Sequence, residues 1–259
     1  TYLGDYPMFL PGGKEQIAGE YQPGWMLLSY GKKVSVSSSL EGYPAENIVD
    51  EDARTAWVAQ SNRDMEWAQV DLQRLSSIHA IQVNFDEYGA NQKGAVSGVY
   101  QSYLIYASVN GEDWSLVVDY GTKKTDTPHD YIEFEEPFKA RYIKLQNKEY
   151  MVSENFSVRD LRIFGKGQGS TPRAVNDFTV ERDEADPCKA RLCWEAVPDA
   201  QGYIVRYGIA GDKLYNNFQV MGENTLEIGS LNKGVAYYFT IDAYNENGIT
   251  RTSRIKVCR

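Results

Sequence analysis

The sequence contains few of the residues that most enzymes use for catalysis. Among 259 residues there are two histidines, His79 and His129. His79 lies in a strand-like pattern and is interpreted as structural, and His129 precedes Asp130, which a strand would direct to the opposite face. The sequence contains no Gly-x-Ser-x-Gly turn and no glycine loop of the kind that binds phosphate. These absences indicate that this chain is not itself an enzyme.

Positive charge is also scarce, with 27 Lys and Arg against 36 Asp and Glu and a net charge of −9. Nucleic-acid binding depends on cations that neutralise phosphates, so we expect no nucleic-acid partner. No apolar run reaches the roughly 18 residues that a membrane-spanning helix needs, so we expect no membrane insertion. The odd number of cysteines leaves at least one thiol unpaired, and a Cys188–Cys193 bridge, a Cys193–Cys258 bridge and free thiols all remain open.

Aromatic residues, in contrast, are abundant, with 19 Tyr and 5 Trp. Apolar residues recur at every second position, as at Ala68, Val70 and Leu72, and no helical period lasts three turns. We therefore predict an all-β protein with about eight strands before residue 165 and six or seven short strands after residue 172. The predicted strands of the first part are 33–39, 67–72, 77–85, 100–109, 114–120, 131–134, 141–146 and 158–164.

Composition divides the chain into three parts. Residues 1–30 are rich in aromatic and turn residues and are predicted to be an irregular docking strap. The segment Gly165–Pro172 has the composition of a linker, which separates a domain at 31–167 from a second domain at 172–259. Because Thr1 is not an initiator and no signal peptide follows it, we expect a segment of a longer chain.

The stretch from Tyr43 to Trp57 concentrates oxygen ligands in a loop. It carries Asn47, Asp50, Asp52 and Thr55, and Trp57 supplies a large apolar anchor at its end. Calcium takes about six to eight oxygen ligands in irregular geometry, so the loop is a candidate calcium site. A solvated acidic surface loop is the alternative interpretation.

Residues 31–165 resemble the discoidin domain, the C-type domain of coagulation factors, whose bacterial relatives include family 32 carbohydrate-binding modules. The resemblance rests on seven stretches: Ser37-Ser38-Ser39, Pro44–Asp50, Thr55-Ala56-Trp57, Trp67–Leu72, Ser108–Trp114, Arg141–Leu145 and Asp160–Gly165. It implies a jelly-roll β-sandwich of eight strands that holds a structural calcium. The implied ligands are the carbonyls of Asn47, Asp52 and Arg159, the carboxylates of Asp50 and Asp160, and the hydroxyl of Thr55.

Residues 172–259 resemble a fibronectin type III domain. Trp194 stands where that family has a core Trp, and Tyr237 stands at its tyrosine corner, ahead of the core positions Phe239 and Ile241. The stretch Gly24–Tyr30 is similar to a segment that joins some bacterial family 43 glycoside hydrolases to a discoidin-like module. The resemblance implies a catalytic domain N-terminal to this chain.

Together these resemblances imply a non-catalytic, carbohydrate-binding accessory region of a secreted, periplasmic or cell-surface glycoside hydrolase that degrades polysaccharide. We expect the glycan to contact loops at the calcium end of the sandwich, while Trp57 and Trp67 are assigned to the core. The expected ligand-binding residues are Arg63, Asp64, Tyr88, Asn91, Tyr150, Asn155 and Phe156. Two alternatives are a structural spacer that braces the catalytic domain and an adhesion module that binds protein partners.

Overall fold

The computed structural model describes residues 9–11, 23–90 and 98–259, and these residues form an all-β protein. The chain divides between Gln168 and Gly169 into two compact units, called unit 1 and unit 2 below. Most of the predicted strap, residues 1–8 and 12–22, lies outside the described residues. In the described part of the chain, no helix has the length and apolar character needed to cross a bilayer.

The described residues of unit 1 form a jelly-roll built on nine strands. Their order in the sheet is β1-β2-β9-β5-β8-β6-β7, with β3 added to β5 and β4 added to β9. The strands are β1 (Phe9–Pro11), β2 (Pro23–Leu27), β3 (Lys33–Val36), β4 (Trp57–Val58), β5 (Trp67–Phe85), β6 (Gln101–Ser108), β7 (Ser115–Tyr120), β8 (His129–Tyr150) and β9 (Ser157–Lys166).

The two longest strands, β5 and β8, each take part in both layers of this sandwich. The first part of β5 pairs with β3 and with the end of β8, whereas its second part pairs with β9 and with the start of β8. The change occurs at an interruption in the register between Asp71 and Ser76, where Gln73 adopts a φ of 65°. The sequence predicts these long strands as four short ones because the interruption breaks the alternation of apolar residues.

Residues 23–30, predicted as part of the strap, belong to the sheet of unit 1. Met26 and Leu27 pair with β9, and both side chains are buried. Gly165, predicted as the start of the linker, lies in β9 and pairs with Met26 and Ile78, and a Cβ placed there would lie 2.0 Å from the Ser77 carbonyl oxygen. Strand pairing therefore reaches into the predicted strap as far as Leu27, and β9 continues past Gly165 to Lys166.

The assignment of Trp67 to the core is wrong. Ala68 and Val70 are fully buried in β5, so strand alternation directs Trp67, which is only half-buried, to the outer face of the sheet. Trp57 was assigned correctly, with no exposed surface.

Unit 2 consists of two sheets, with strand orders β10-β11-β14 and β13-β12-β15-β16, and β17 added to β15. Its core includes Trp194, Val205, Phe239 and Ile241. The three cysteines are free, with Cys188 exposed and Cys258 buried. The strands are β10 (Phe178–Arg182), β11 (Ala190–Trp194), β12 (Gly202–Gly208), β13 (Asn216–Met221), β14 (Thr225–Ile228), β15 (Tyr237–Asn245), β16 (Gly248–Thr250) and β17 (Lys256–Cys258).

Candidate functional site

The loop from Pro44 to Trp57 is fixed at both ends by apolar contacts. At its start, a 3-10 helix, η1 (Ala45–Val49), buries Ile48 and Val49. At its end the indole of Trp57 packs edge-to-face on Phe156, and its N–H donates to the Ser38 carbonyl at 3.0 Å. The polar residues between these anchors are therefore held on a well-packed frame.

Three of the predicted calcium ligands lie together within this loop. The Thr55 hydroxyl is 2.8 Å from Asp50 Oδ2 and 2.9 Å from the Asp52 carbonyl oxygen. The Asp52 N–H donates to Asp50 Oδ1 at 2.8 Å, and the Asn47 amide donates to the Ala56 carbonyl at 2.8 Å. The loop thus turns back on itself and brings together a carboxylate, a carbonyl and a hydroxyl.

The carboxylate of Asp160, predicted as a ligand from β9, is fully buried. Its Oδ2 accepts a hydrogen bond from the Asn84 amide at 2.9 Å, while Oδ1 has no hydrogen-bond partner among the described residues. Burial raises the pKa of Asp160, and the negative charge of Asp50 raises it further, although Asn84 and Arg162 oppose the shift. A buried carboxylate with an unused oxygen near a second carboxylate is a suitable environment for a cation.

A buried ion pair lies beside these carboxylates. Glu51 and Arg162 are each 4% exposed at their side chains, and Arg162 Nε donates to both carboxylate oxygens at 3.1 Å. Glu51 has a φ of 60°, which places its side chain against β9 at the cost of an unfavourable backbone conformation. Burial raises the pKa of Glu51 to about 7, with Arg162 opposing the shift and the charges of Asp160 and Asp50 adding to it.

In the described ranges, no group of three or more His, Cys, Asp or Glu side chains is arranged to hold a metal. The predicted ligand set contains only two side-chain carboxylates, Asp50 and Asp160, and the other ligands are carbonyls and a hydroxyl. Such a set suits calcium, which accepts carbonyl oxygens, better than zinc, which prefers thiolate and imidazole. The residues present therefore fit a calcium ion.

Two of the predicted glycan-binding residues are instead part of the core of unit 1. Tyr150 is 2% exposed and Phe156 is fully buried. Their rings pack edge-to-face at 5.3 Å, and the Tyr150 hydroxyl bonds to the Asp86 carbonyl. The prediction that they form an exposed platform is wrong, because both rings fill the space between the sheets and hold the loops together from inside.

The remaining predicted residues lie in different places. The Asn155 amide donates to the Ala59 carbonyl at 2.8 Å, so it links two loops. Arg63 is exposed, and the neighbouring Asp64 pairs with Lys148 at 2.6 Å. Asn91 lies outside the described residues.

Tyr88 is the one predicted aromatic residue in a position to form a platform. It is half-buried and packs edge-to-face on Tyr43, with ring centroids 4.9 Å apart. Asp86, on the same loop as Tyr88, forms an ion pair with Arg159 of β9. The Arg159 side chain is 31% exposed and the Asp86 side chain is 18% exposed. We call Tyr43, Tyr88, Asp86 and Arg159 the rim site. Tyr43 was not predicted, although its position immediately before the calcium loop was a usable signal.

The sequence of unit 1 is similar to one known domain family and to two curated proteins. Residues 33–160 match the sequence profile of the F5/8 type C domain. Rat lactadherin (Rattus norvegicus) is 33% identical over 110 residues, which cover 40% of this chain and 25% of lactadherin. The mouse protein (Mus musculus) is 32% identical over the same length. This chain therefore matches only about a quarter of the length of its curated relatives.

The solved structures to which this chain is similar include two carbohydrate-binding modules. Chitosan-binding module 1 from a Paenibacillus sp. IK-5 chitosanase/glucanase has 20% identity and a TM-score of 0.45, covering 54% of this chain and 98% of that one. The family 32 module of C. perfringens NanJ, in complex with galactose, has 18% identity and a TM-score of 0.44, with the same coverage. Residues 33–160, which lie within the all-β unit 1, therefore resemble F5/8 type C, discoidin-like domains.

Proposed function

We propose that unit 1 binds carbohydrate through the rim site, and that the chain is a non-catalytic accessory region of a secreted, polysaccharide-degrading glycoside hydrolase. The observation that carries this proposal is the edge-to-face pairing of Tyr88 with Tyr43 on the loop whose Asp86 forms an ion pair with Arg159. This arrangement lies on loops of an F5/8 type C domain, in a chain whose composition offers little for catalysis.

The chemistry of a sugar ring matches these side chains. A pyranose presents C–H groups on one face, which pack on an aromatic ring, and hydroxyls at its edge, which need fixed donors and acceptors. Tyr88 supplies the ring, and Tyr43 limits its rotation through the edge contact. Arg159 and Asp86 supply a donor and an acceptor that their mutual ion pair holds in place.

We further propose that a structural calcium ion stabilises this end of the domain. Its ligands would be the carbonyls of Asn47, Asp52 and Arg159, the carboxylates of Asp50 and Asp160, and the hydroxyl of Thr55. The ion would neutralise buried carboxylates and fix the loop relative to β9. The unpartnered Asp160 Oδ1 and the convergence of Asp50, Asp52 and Thr55 oxygens support this assignment.

For unit 2 we propose a fibronectin type III fold and a structural, non-binding role as a spacer domain. The Tyr237 hydroxyl accepts the Asn232 N–H at 3.2 Å, which is the hydrogen bond expected of a tyrosine corner. Trp194 lies in the core against Tyr203. These contacts support the proposal, and the identity of the parent enzyme is part of the same hypothesis.

The test begins with a glycan array and continues with affinity electrophoresis of the full chain on the glycans that bind. Tyr88→Ala should weaken binding up to about tenfold, because a stacked aromatic contact contributes up to roughly 1.5 kcal/mol. Tyr215→Ala is the matched control, since Tyr215 in unit 2 is 80% exposed. Equal binding by the Tyr88→Ala variant and the parent chain would refute the rim site.

The spacer alternative predicts a different pattern. In that case the chain binds no glycan on the array but co-purifies with a family 43 catalytic domain that is supplied separately. Selective binding to a purified protein partner, again without glycan binding, would instead favour the adhesion alternative. Each result contradicts the carbohydrate-binding proposal.

A further inference from the structure

The outer face of the sheet in unit 1 carries a surface that the rim site does not use. Antiparallel pairing places Lys144 of β8 between Gln69 of β5 and Tyr106 of β6. One row further along, Gln146 pairs with Trp67. Directly paired residues project to the same side of a sheet, so these side chains share one face. With Trp114, which contacts Lys144 from the hairpin before β7, they form what we call the indole–lysine face.

Lys144 lies between two tryptophans on this face. Its ammonium nitrogen is 3.7 Å from the centroid of the Trp114 ring and 5.7 Å from that of Trp67. Both distances are within the range of a cation–π interaction. All three side chains are half-buried, so each retains part of its surface for contact with a ligand.

The ammonium group of Lys144 has no acidic partner. In residues 9–11, 23–90 and 98–259, no carboxylate pairs with it and no acceptor takes a hydrogen bond from it. Two other cations of β8 are paired, Arg141 with Asp71 and Lys148 with Asp64. Desolvation is the cause that lowers the pKa of Lys144. The indoles replace only part of the water that burial removes from the Lys144 ammonium group, so its N–H donors remain available to a ligand.

We propose that the indole–lysine face binds a carboxylate-bearing glycan, such as a polyuronate chain. Lys144 forms an ion pair with a sugar carboxylate, and this ion pair compensates for the hydrating water that the ammonium group loses through burial. Trp67 and Trp114 contact the C–H faces of sugar rings on either side of the ammonium. Gln69 and Gln146 lie in the same rows and supply amide groups for the hydroxyls. The face extends over successive rows of paired residues on β5 and β8, which suits a ligand made of several linked sugar rings.

The distribution of charge supports an anionic ligand at this place. The chain has a net charge of −9, so an acidic polymer is repelled by most of the surface and needs a local cation that no carboxylate neutralises. Lys144 meets this requirement. This surface is separate from the rim site and does not depend on it.

The experiment is affinity electrophoresis of the full chain in gels that contain polygalacturonate, its methyl ester or poly-glutamate. We expect retardation by polygalacturonate only, since esterification removes the charge and poly-glutamate lacks sugar rings. Lys144→Met keeps the alkyl stem against the indoles and should weaken binding at least fivefold. Lys166→Met, which removes the same charge from an exposed position at the end of β9, should bind as the parent chain does.

Fluorescence provides a second readout. Polygalacturonate should change the tryptophan emission of the parent chain, and the change should be smaller in Trp114→Phe. Absence of retardation by polygalacturonate, equal retardation of Lys144→Met, or equal binding of the methyl ester would each overturn the proposal. Binding of poly-glutamate that depends on Lys144 would show that the ligand of this face is an acidic peptide and would overturn the glycan assignment. A chain that binds polygalacturonate through Lys144 but no glycan at the rim would refute only the rim site.

Discussion

Units 1 and 2 are both β-sandwiches, but they differ in what they bury at the ends of their strands. Unit 1 buries charged and amide groups next to its loops, including Asp160, Arg162, Asn84 and Asn147. The core of unit 2 is an apolar cluster around Trp194, and its buried polar groups are concentrated on β15.

This difference relates structure to function. Buried polar groups cost stability unless each has a partner, so they persist where they fix loops in one geometry. In unit 1, the Asn147 amide donates to the carbonyls of Asn62 and Arg63, at 2.8 and 3.0 Å, and holds that loop against β8. Loops that are fixed in this way suit a binding domain, and an apolar sandwich with fewer such contacts suits a spacer.

The chain provides separate spectroscopic and chemical probes for the two units. All three cysteines lie in unit 2, and Cys258 is buried there, so its reaction with a thiol reagent reports the opening of unit 2. Trp25, Trp57, Trp67 and Trp114 lie in unit 1, so tryptophan fluorescence reports mainly on unit 1. Each prediction below is measured with both probes.

The largest expected effect comes from breaking the buried ion pair of unit 1. Arg162→Met leaves Glu51 buried without its partner, so we expect a loss of about 3–5 kcal/mol in the free energy of unfolding of unit 1. Chemical denaturation followed by tryptophan fluorescence measures it, and the reactivity of Cys258 should not change.

Two variants serve as controls for this prediction. The double variant Glu51→Gln/Arg162→Met should recover much of the loss, because no unpaired charge remains. Arg254→Met breaks the exposed pair with Asp177 in unit 2, and it should have no resolvable effect. A small cost for Arg162→Met, equal to that of Arg254→Met, would show that burial does not distinguish these pairs.

The next largest effect concerns calcium. A ligand that binds only the folded state adds about 2.7 kcal/mol when present at a hundredfold excess over its Kd. We therefore expect a chelator to lower the unfolding midpoint of unit 1 by an amount of this order, with no change in unit 2. Asp160→Asn removes a ligand charge and should abolish the response to calcium. An unchanged unit 1 midpoint on chelation, or an equal shift in both units, would contradict the site.

The sequence predicts the fold of unit 1 better than it predicts the rim. Alternation of apolar residues identifies strands because burial in a sandwich repeats every second residue. It does not distinguish an aromatic ring that fills the core beneath a loop from one that lies on top of it. Tyr150 and Phe156 were assigned to the surface for this reason, although each follows or precedes a predicted strand.

Trp67 shows the opposite error. The same alternation that buries Ala68 and Val70 directs Trp67 outward, but the size of the indole led to a core assignment. The pairing of Trp67 with Lys144 and Trp114 depends on the registers of three strands, which no local pattern encodes. Contacts between residues that are distant in the sequence set both candidate surfaces, so they required the structure.

The smallest expected effect compares one carboxylate in each unit as the pH falls. Glu66 of unit 1 accepts hydrogen bonds from the hydroxyls of Ser37, Ser38 and Ser61. Burial opposes ionisation, but the three hydroxyls, together with the nearby charge of Arg63, outweigh it and lower the pKa of Glu66. In unit 2, hydrogen bonds from Lys256, Arg254 and the Phe178 N–H lower the pKa of Asp177 to about 2.

A carboxylate with a lowered pKa stabilises the folded state above its unfolded pKa, and this contribution is lost as the pH falls through the folded value. Protonation of Glu66 should therefore destabilise unit 1 below about pH 4.5. Protonation of Asp177 should destabilise unit 2 between about pH 3.8 and 2. Glu66→Gln and Asp177→Asn should each flatten the pH dependence of their own unit. Added salt should reduce the Asp177 contribution, which depends on Lys256 and Arg254, more than that of Glu66, which depends mainly on neutral hydroxyls. Equal salt sensitivity of both contributions would show that the two carboxylates are stabilised in the same way, and it would remove this difference between the units.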